Sequence, residues 1–250
     1  MKFLKISSMT YSREAVVCFV RNNEFGAENE PDWFSDKERS YIASLRYAKR
    51  RQEYRASRIS AKGAAKAFCG SDSVIDISVG SGVLWNPYIT VSGHPNLGVS
   101  ICHTADFSCA AVFDEAYICG IDAEQVNERH FRTLSECATE REKALLLSID
   151  SDEMMKLTLL WTIHEALSKA LRTGLSLGMD YYEISEIAPC GSCGCLAGKF
   201  ALFTQFEFYS FISQKDRTAF SVAVPKNSSC RFENADAYFY ERIDKISLKL

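Results

Sequence analysis

Residues 15–21 run Ala-Val-Val-Cys-Phe-Val-Arg, a β-branched and aromatic stretch that predicts an early strand. From residue 35 to about 68 the pattern becomes helical, with Ser35 placed to cap the start and Gly70 to stop the end. Residues 74–79 read as a short strand, and a Gly-, Asn- and Pro-rich loop follows as far as Pro95. Three strands are predicted next, at 97–102, 108–113 and 117–124. A helix at 139–148 precedes a longer one from the cap Ser151 to about Leu171, stopped by Thr173-Gly174. Two more strands fit 199–212 and 218–224, and the C-terminal tail fits neither period. Strands and helices mix without strict βαβ alternation, which predicts an α+β arrangement of sheet packed by helices. No internal repeat or low-complexity tract interrupts the pattern, and no linker composition marks a boundary, although 115–118 offers a place for one.

The composition changes this picture little. At 250 residues, 47% hydrophobic and 24% charged, the chain has room for one large domain or two small ones with a sizeable core. No apolar run approaches the ~20 residues needed to cross a bilayer. Met1-Lys-Phe-Leu-Lys-Ile lacks the apolar stretch of a secretory signal, so a cytoplasmic address is expected, with no membrane partner. Of the ten cysteines, Cys18, Cys109 and Cys119 sit inside apolar strand-like runs, where a thiol behaves as a small hydrophobe; the cysteines are read as reduced. Cys190, Cys193 and Cys195 match no four-ligand zinc spacing and read as part of a Gly-rich turn. The aromatic-rich 200–211 stretch alternates as a core strand does, not as a base-stacking platform.

Charge is more informative. Residues 37–66 carry ten basic groups against two acidic ones, a local +8, so the rest of a chain of net charge −3 carries −11. A concentrated basic segment in an acidic protein points to a locally bound anion, or simply to a solvated helix face. A nucleic-acid binder is more often basic throughout, so none is expected here.

Candidate chemistry lies in three places. Gly120-Ile121-Asp122-Ala123-Glu124 ends an apolar strand, and alternation puts Asp122 and Glu124 on one side. Two such carboxylates repel unless a cation or hydrogen-bond donors stand between them, and a hard ion such as Mg²⁺ suits all-oxygen ligands; two solvated acids at a strand end would look the same. On the long helix, Trp161, Glu165 and Lys169 are spaced i, i+4, i+8 and share a face. Glu165 can complete a carboxylate set or take a proton from a hydroxyl, Lys169 can steady it or a phosphate, and Trp161 reads as a core anchor. His103, at the end of a buried-looking strand, can donate to a phosphate or be a satisfied structural residue.

The order of these elements resembles the Sfp-type 4'-phosphopantetheinyl transferases. Ile101-Cys102-His103-Thr104, Gly120-Ile121-Asp122-Ala123-Glu124 and Trp161-Thr162-Ile163-His164-Glu165-Ala166-Leu167-Ser168-Lys169 stand in the order of that family's motifs, and Gly174-Leu175-Ser176-Leu177 resembles the segment after its helix. Lys49-Arg50-Arg51-Gln52-Glu53-Tyr54-Arg55-Ala56-Ser57-Arg58 is similar to the helix that opens the coenzyme A site in the siderophore-synthesis branch. The resemblance covers about residues 45–180.

It implies an α+β fold of two similar halves with the active site between them, expected here as residues 1–117 (coenzyme A-binding) and 118–250 (metal-binding and catalytic). It implies that Asp122, Glu124 and Glu165 hold Mg²⁺ against the pyrophosphate of coenzyme A, that Glu165 is the base, and that Lys169 supports transfer and contacts the substrate. Arg50, Arg58, Cys102, His103 and Asp122 would contribute to coenzyme A binding, His103 at the 3'-phosphate. The implied reaction moves 4'-phosphopantetheine from coenzyme A to a serine of an apo acyl or peptidyl carrier protein and releases 3',5'-ADP. A fused two-half chain needs no second copy to complete its site, so a monomer is expected.

Three positions depart from the pattern. His164 stands where a lysine is usual and Cys102 where a serine is usual. The Gly-Lys-Pro loop has no clean counterpart; Gly93-His94-Pro95 and the stretch 82–87 are rival matches. Two other readings follow: a relative that binds coenzyme A or a carrier without turnover, and a metal-dependent phosphodiesterase using the same acids.

Overall fold

Continuous apolar runs such as Phe-Ser-Cys-Ala-Ala-Val-Phe at 107–113 suit strands covered on both faces, and both central sheets of the computed structural model are of that kind. The structure describes residues 1–8, 14–23, 32–70, 74, 76–83, 85–190 and 195–233. One antiparallel sheet has the order β12 (Ser228–Glu233), β1 (Lys2–Ser8), β2 (Glu14–Arg21), β6 (Phe107–Asp114), β5 (Leu97–His103). The second runs β7 (Gly120–Gln125), β11 (Thr218–Pro225), β10 (Phe206–Ser213), β9 (Cys195–Phe200), β8 (Ile184–Cys190), also antiparallel. Helix α2 (Ala48–Cys69) covers the outer face of the first sheet through Ile59, Ala61 and Ala64 against Cys18, Val20, Ala110 and Val112. Helix α5 (Glu153–Leu171) covers the second through Leu159, Ile163 and Ala166 against Ala219, Ala223 and Phe208.

The inner faces pack on each other. Leu4, Ile6, Val17 and Ala111 share a core with Ile121, Phe211, Phe220 and Val222, and Phe19 meets Phe220 edge-on with ring centroids 5.1 Å apart. The layers are therefore helix, sheet, sheet, helix. The α+β class is as expected, and each five-stranded sheet carries one long helix, but one strand crosses between the two parts of the sequence. β12, from beyond residue 117, forms the edge of the first sheet.

Other differences have local causes. The helix expected over 35–68 is two helices, α1 (Asp36–Ser44) and α2, because Leu45 turns extended. The Arg51 guanidinium donates to the carbonyls of Leu45 and Arg46 (2.7 and 3.1 Å), which satisfies backbone groups freed at the break. Ser35 does cap α1, in a reciprocal pair with Glu38, and Gly70 ends α2 at φ 63°. The loop expected before Pro95 contains β4 (Pro87–Val91), hairpin partner of β3 (Ile77–Ser81). The strand expected over 199–212 is split between β9 and β10 by a turn at 201–205. α5 is capped by Asp152, not Ser151, through the Met155 amide at 2.9 Å. Two short helices, α3 (Phe131–Cys137) and α4 (Glu140–Leu146), precede it; only α4 has a counterpart in the expected elements.

Where β7 meets α5, the approach is close enough to exclude a side chain. A Cβ on Gly120 would stand 2.0 Å from the Ala166 carbonyl oxygen and 2.5 Å from the Ala170 amide nitrogen. Both obstacles are backbone, so Gly120→Ala must push the helix off the strand. A stability loss of about 1–3 kcal/mol is expected, read from urea unfolding with an unchanged m-value.

Candidate active site

The same close contact builds the site. Along β7, Ile121 and Ala123 enter the inter-sheet core, so Asp122 and Glu124 fall on the face that α5 covers. One turn apart on α5, Glu165 and Lys169 come to that face, and the Lys169 ammonium donates to Asp122 Oδ1 at 2.6 Å. From the other half, the edge strand β5 lies beside β7, where Ser100 Oγ accepts the Ile121 amide at 3.1 Å. His103, at the exposed end of β5, lies within the electrostatic reach of Asp122, Lys169, Arg50 and Glu53. Elements from both halves thus converge on one acidic recess with basic groups around it.

The electrostatics are those of crowded carboxylates. Glu124 is solvent-exposed as a residue, yet its carboxyl lies within electrostatic reach of Asp122, Glu165 and Lys169. Desolvation first, then the Asp122 and Glu165 charges, raise its pKa to about 7 against the opposing pull of Lys169. Half-buried Glu165 is raised for the same reasons, with Lys169, a Ser168 hydroxyl bond (3.3 Å) and His164 opposing. Burial alone would lower Lys169, but Asp122, Cys102 and Glu165 overcome it and hold the ammonium well above its ordinary range. Burial, with Arg50 and Lys169, lowers His103, while Glu53 and Asp122 pull the other way.

Does this donor set suit a hard divalent ion? Asp122 Oδ2 is buried with no hydrogen-bond partner, a costly state that a cation would relieve. All three acids are oxygen donors, and their mutual repulsion is what an ion between them would cancel. Among the described residues, no three metal-binding side chains are gathered closely enough to close around an ion. Lys169 stands on Asp122 in this arrangement. The residues fit by chemistry, with Lys169 supplying the compensating charge.

The remaining expected residues divide. Arg50 is mostly exposed on α2 and pairs with the buried Glu53 at 3.2 Å; Glu53 also meets Lys49 at 3.8 Å. Glu53 was legible only as an acid in a basic run, yet it sits between the basic face and His103. Arg58 lies over the Tyr54 ring at 4.5 Å, its Nε buried without a hydrogen-bond partner. The Cys102 side chain does not enter the recess. It turns into the inter-sheet core, its sulfur 3.1 Å from that of Cys109, leaving only its backbone to the site. Thr104 fixes the β5–β6 turn by accepting the Asp106 and Phe107 amides.

His164 faces away from the recess. It is 1% exposed and bonds the fully buried Glu142 at 2.7 Å, so its departure from the lysine pattern belongs to the packing of α5 on α4. Trp161 is half-buried on α5.

Beyond Lys169, a cavity of about 1320 Å³ opens between the halves, walled by Ser100, Ile101, Tyr117 and Arg172 among others. Of the rival loop matches, Asn86 and Pro87 line this cavity; Gly93, His94 and Pro95 form an exposed turn that does not. Cys190 and Cys195 are register partners at the end of the β8–β9 hairpin, and Cys193 lies outside the described residues. No disulfide joins two of the nine described cysteines, and no described helix is long and apolar enough to cross a membrane.

No curated protein matches the sequence. A solved holo-(acyl-carrier-protein) synthase from Bacillus anthracis str. Ames, in complex with CoA (3',5'-ADP), is 21% identical over 45% of this chain and 96% of that chain, with a TM-score of 0.37. The family model of the 4'-phosphopantetheinyl transferase superfamily matches residues 118–223. Over that stretch, which supplies Asp122, Glu124, Glu165 and Lys169, the chain is similar to the 4'-phosphopantetheinyl transferase superfamily.

Proposed function

We propose that the chain transfers 4'-phosphopantetheine from coenzyme A to a serine of an apo acyl or peptidyl carrier protein, with magnesium bound, in the manner of the Sfp-type branch. The observation that carries this is the meeting of Asp122, Glu124, Glu165 and Lys169 on one face between β7 and α5, inside the matched segment.

Phosphoryl transfer asks a protein mainly for positioning and charge neutralisation. Asp122, Glu124 and Glu165 are the residues to hold Mg²⁺, which when bound supplies positive charge to the pyrophosphate. Lys169, kept protonated by its acidic surroundings, adds fixed charge at the same place. His103, Arg50 and Arg58 offer donors for the 3'-phosphate, arranged along β5 and the N-terminal half of α2. The carrier serine oxygen attacks the phosphorus on the pantetheine side, the bond to the 3',5'-ADP oxygen breaks, and the serine proton passes to Glu165. A carboxyl raised from its ordinary pKa is a better proton acceptor than an ordinary one.

The test is a mass-shift assay of apo carriers from fatty acid, polyketide, peptide and siderophore systems, incubated with coenzyme A and the protein. The expected result is a phosphopantetheine adduct on at least one carrier, abolished by EDTA and restored by excess Mg²⁺. Coenzyme A bound without an adduct on any carrier would favour a non-catalytic binder. Coenzyme A cleaved without an acceptor would favour a phosphodiesterase.

A further inference from the structure

Cys102 and Cys109 face each other across β5 and β6. They are register partners in an antiparallel pair, and their sulfurs stand 3.1 Å apart. Residues directly opposite in such a pair have Cα atoms roughly 4.5–5.5 Å apart, inside the span of roughly 4.4–6.8 Å that a disulfide bridges. Both side chains point into the inter-sheet core, where a thiol otherwise serves as a small hydrophobe. Packing alone does not require two sulfurs to meet, and these two meet on β5, the edge strand of its sheet. The next residue along β5 is His103, whose side chain falls on the opposite face and lies within electrostatic reach of Lys169 and Asp122. The Lys169 charge reaches both thiols as well. A dithiol in position to close thus lies directly behind the basic rim of the recess.

We propose that Cys102 and Cys109 are a reversible oxidation site, and that closing their bridge shifts β5 and weakens anion binding at His103. The second part rests on the reading that His103 serves the 3'-phosphate of coenzyme A. The oxidant is a small hydroperoxide. Cys102 keeps 4% of its surface exposed and Cys109 none, so the Cys102 sulfur meets the oxidant first. An S–O bond forms and the O–O bond breaks, leaving a sulfenic acid and one water. The Cys109 sulfur then attacks the sulfenic sulfur; the S–S bond forms, the S–O bond breaks and a second water leaves. Each water carries off one thiol hydrogen, and the two sulfurs together give up two electrons to the peroxide. A dithiol reductant reverses the step by exchange, as transient disulfides in reducing compartments require. To reach a bond of ~2.05 Å the sulfurs must close by roughly 1 Å. The core around them is packed, so β5, with one strand neighbour in its sheet, is the element that gives.

The test treats the wild-type protein with hydrogen peroxide, alkylates the remaining thiols and maps the unreduced digest by mass spectrometry. Cleavage before Asp76, Asp106 and Asp114 leaves Cys102 and Cys109 each as the one cysteine of its peptide. The expected product is the two peptides linked, lighter by two hydrogens than their sum and separated by dithiothreitol. In the bridged protein the His103 ring resonance should shift while those of His94 and His130 stay. Coenzyme A should bind at least roughly tenfold more weakly, the low end of what one hydrogen bond to a charged group is worth. Reduction should restore both signals. Cys109→Ala, outside the recess, should bind coenzyme A as the wild type does and lose the response to peroxide. Free thiols at both positions after treatment, or a bridge between Cys190 and Cys195 in their place, would overturn the site. A bridge that leaves both the His103 resonance and coenzyme A binding unchanged would overturn the switch. So would a Cys109→Ala protein that still loses binding on treatment. A reduced wild type that binds no coenzyme A would remove the coenzyme A reading, and the bridge and the His103 shift would still decide the oxidation site.

Discussion

Glu165→Gln is expected to lower transfer to an apo carrier by at least roughly 10²-fold, the lower end of what a positioned general base contributes. The substitution keeps the shape of the side chain and removes its basicity together with one of three clustered negative charges. Protein stability should move the other way. Desolvation and the Asp122 charge both oppose ionisation of Glu165 in the folded chain, so its carboxylate is a liability there at neutral pH. A neutral glutamine relieves that repulsion, and its main hydrogen-bond neighbour, Ser168, also donates to the Glu165 backbone carbonyl at 2.9 Å. Melting in metal-free buffer should therefore be unchanged or slightly higher while the rate collapses, as in an active site that sacrifices stability for chemistry. Coenzyme A affinity, measured separately, separates a lost base from a lost binding contact. A rate within a few-fold of wild type would remove Glu165 from the chemistry.

The four residues at that centre were legible because two periods carry them. Strand alternation puts Asp122 and Glu124 on one side, and the helical i, i+4 step aligns Glu165 with Lys169. Only the fold could bring those faces together, and Gly120 makes it possible by letting α5 lie directly on β7. What stayed hidden depended on long-range partners. The break at 45–47 is stabilised by the Arg51 side chain reaching back, which no local propensity encodes. β4 sits in a stretch whose Gly, Asn and Pro content signals loop, and its pairing partner β3 is what makes it a strand. Strands covered on both faces lose the alternation that reveals a one-sided sheet, so β10 could not be told from β9, whereas β1 and β8 were missed although their burial alternates. Cys102 and His164 stand inside the motifs but point out of the site, since motif spacing says nothing about which neighbour a buried side chain meets.

The largest stability effect is expected not in the recess but behind it, at Glu142. One carboxylate oxygen accepts from His164 Nε2 at 2.7 Å and from the Ile184 amide at 3.0 Å; the other accepts the Thr139 amide at 3.0 Å. A single fully buried side chain thus ties α4 to α5 and to β8. Glu142→Ala leaves a buried imidazole, the buried Ile184 amide and the part-buried Thr139 amide without their acceptor, the situation in which breaking a buried pair costs about 3–5 kcal/mol. For a chain of this size the melting temperature should fall on the order of 10 °C. Acid should erase the difference. Burial alone would raise the Glu142 pKa, but the His164 bond and charge and the two backbone amides outweigh it and hold the carboxyl below its ordinary 4.5. The unfolded chain therefore takes up this proton at a higher pH than the folded one. The stability that ionised Glu142 contributes is complete above about pH 4.5 and is lost as the pH falls through the folded-state value. Urea unfolding of both proteins from neutral to acid pH should show the gap between wild type and Glu142→Ala narrowing only at the acid end. A gap independent of pH would mean that the side chain contributes packing and no charge.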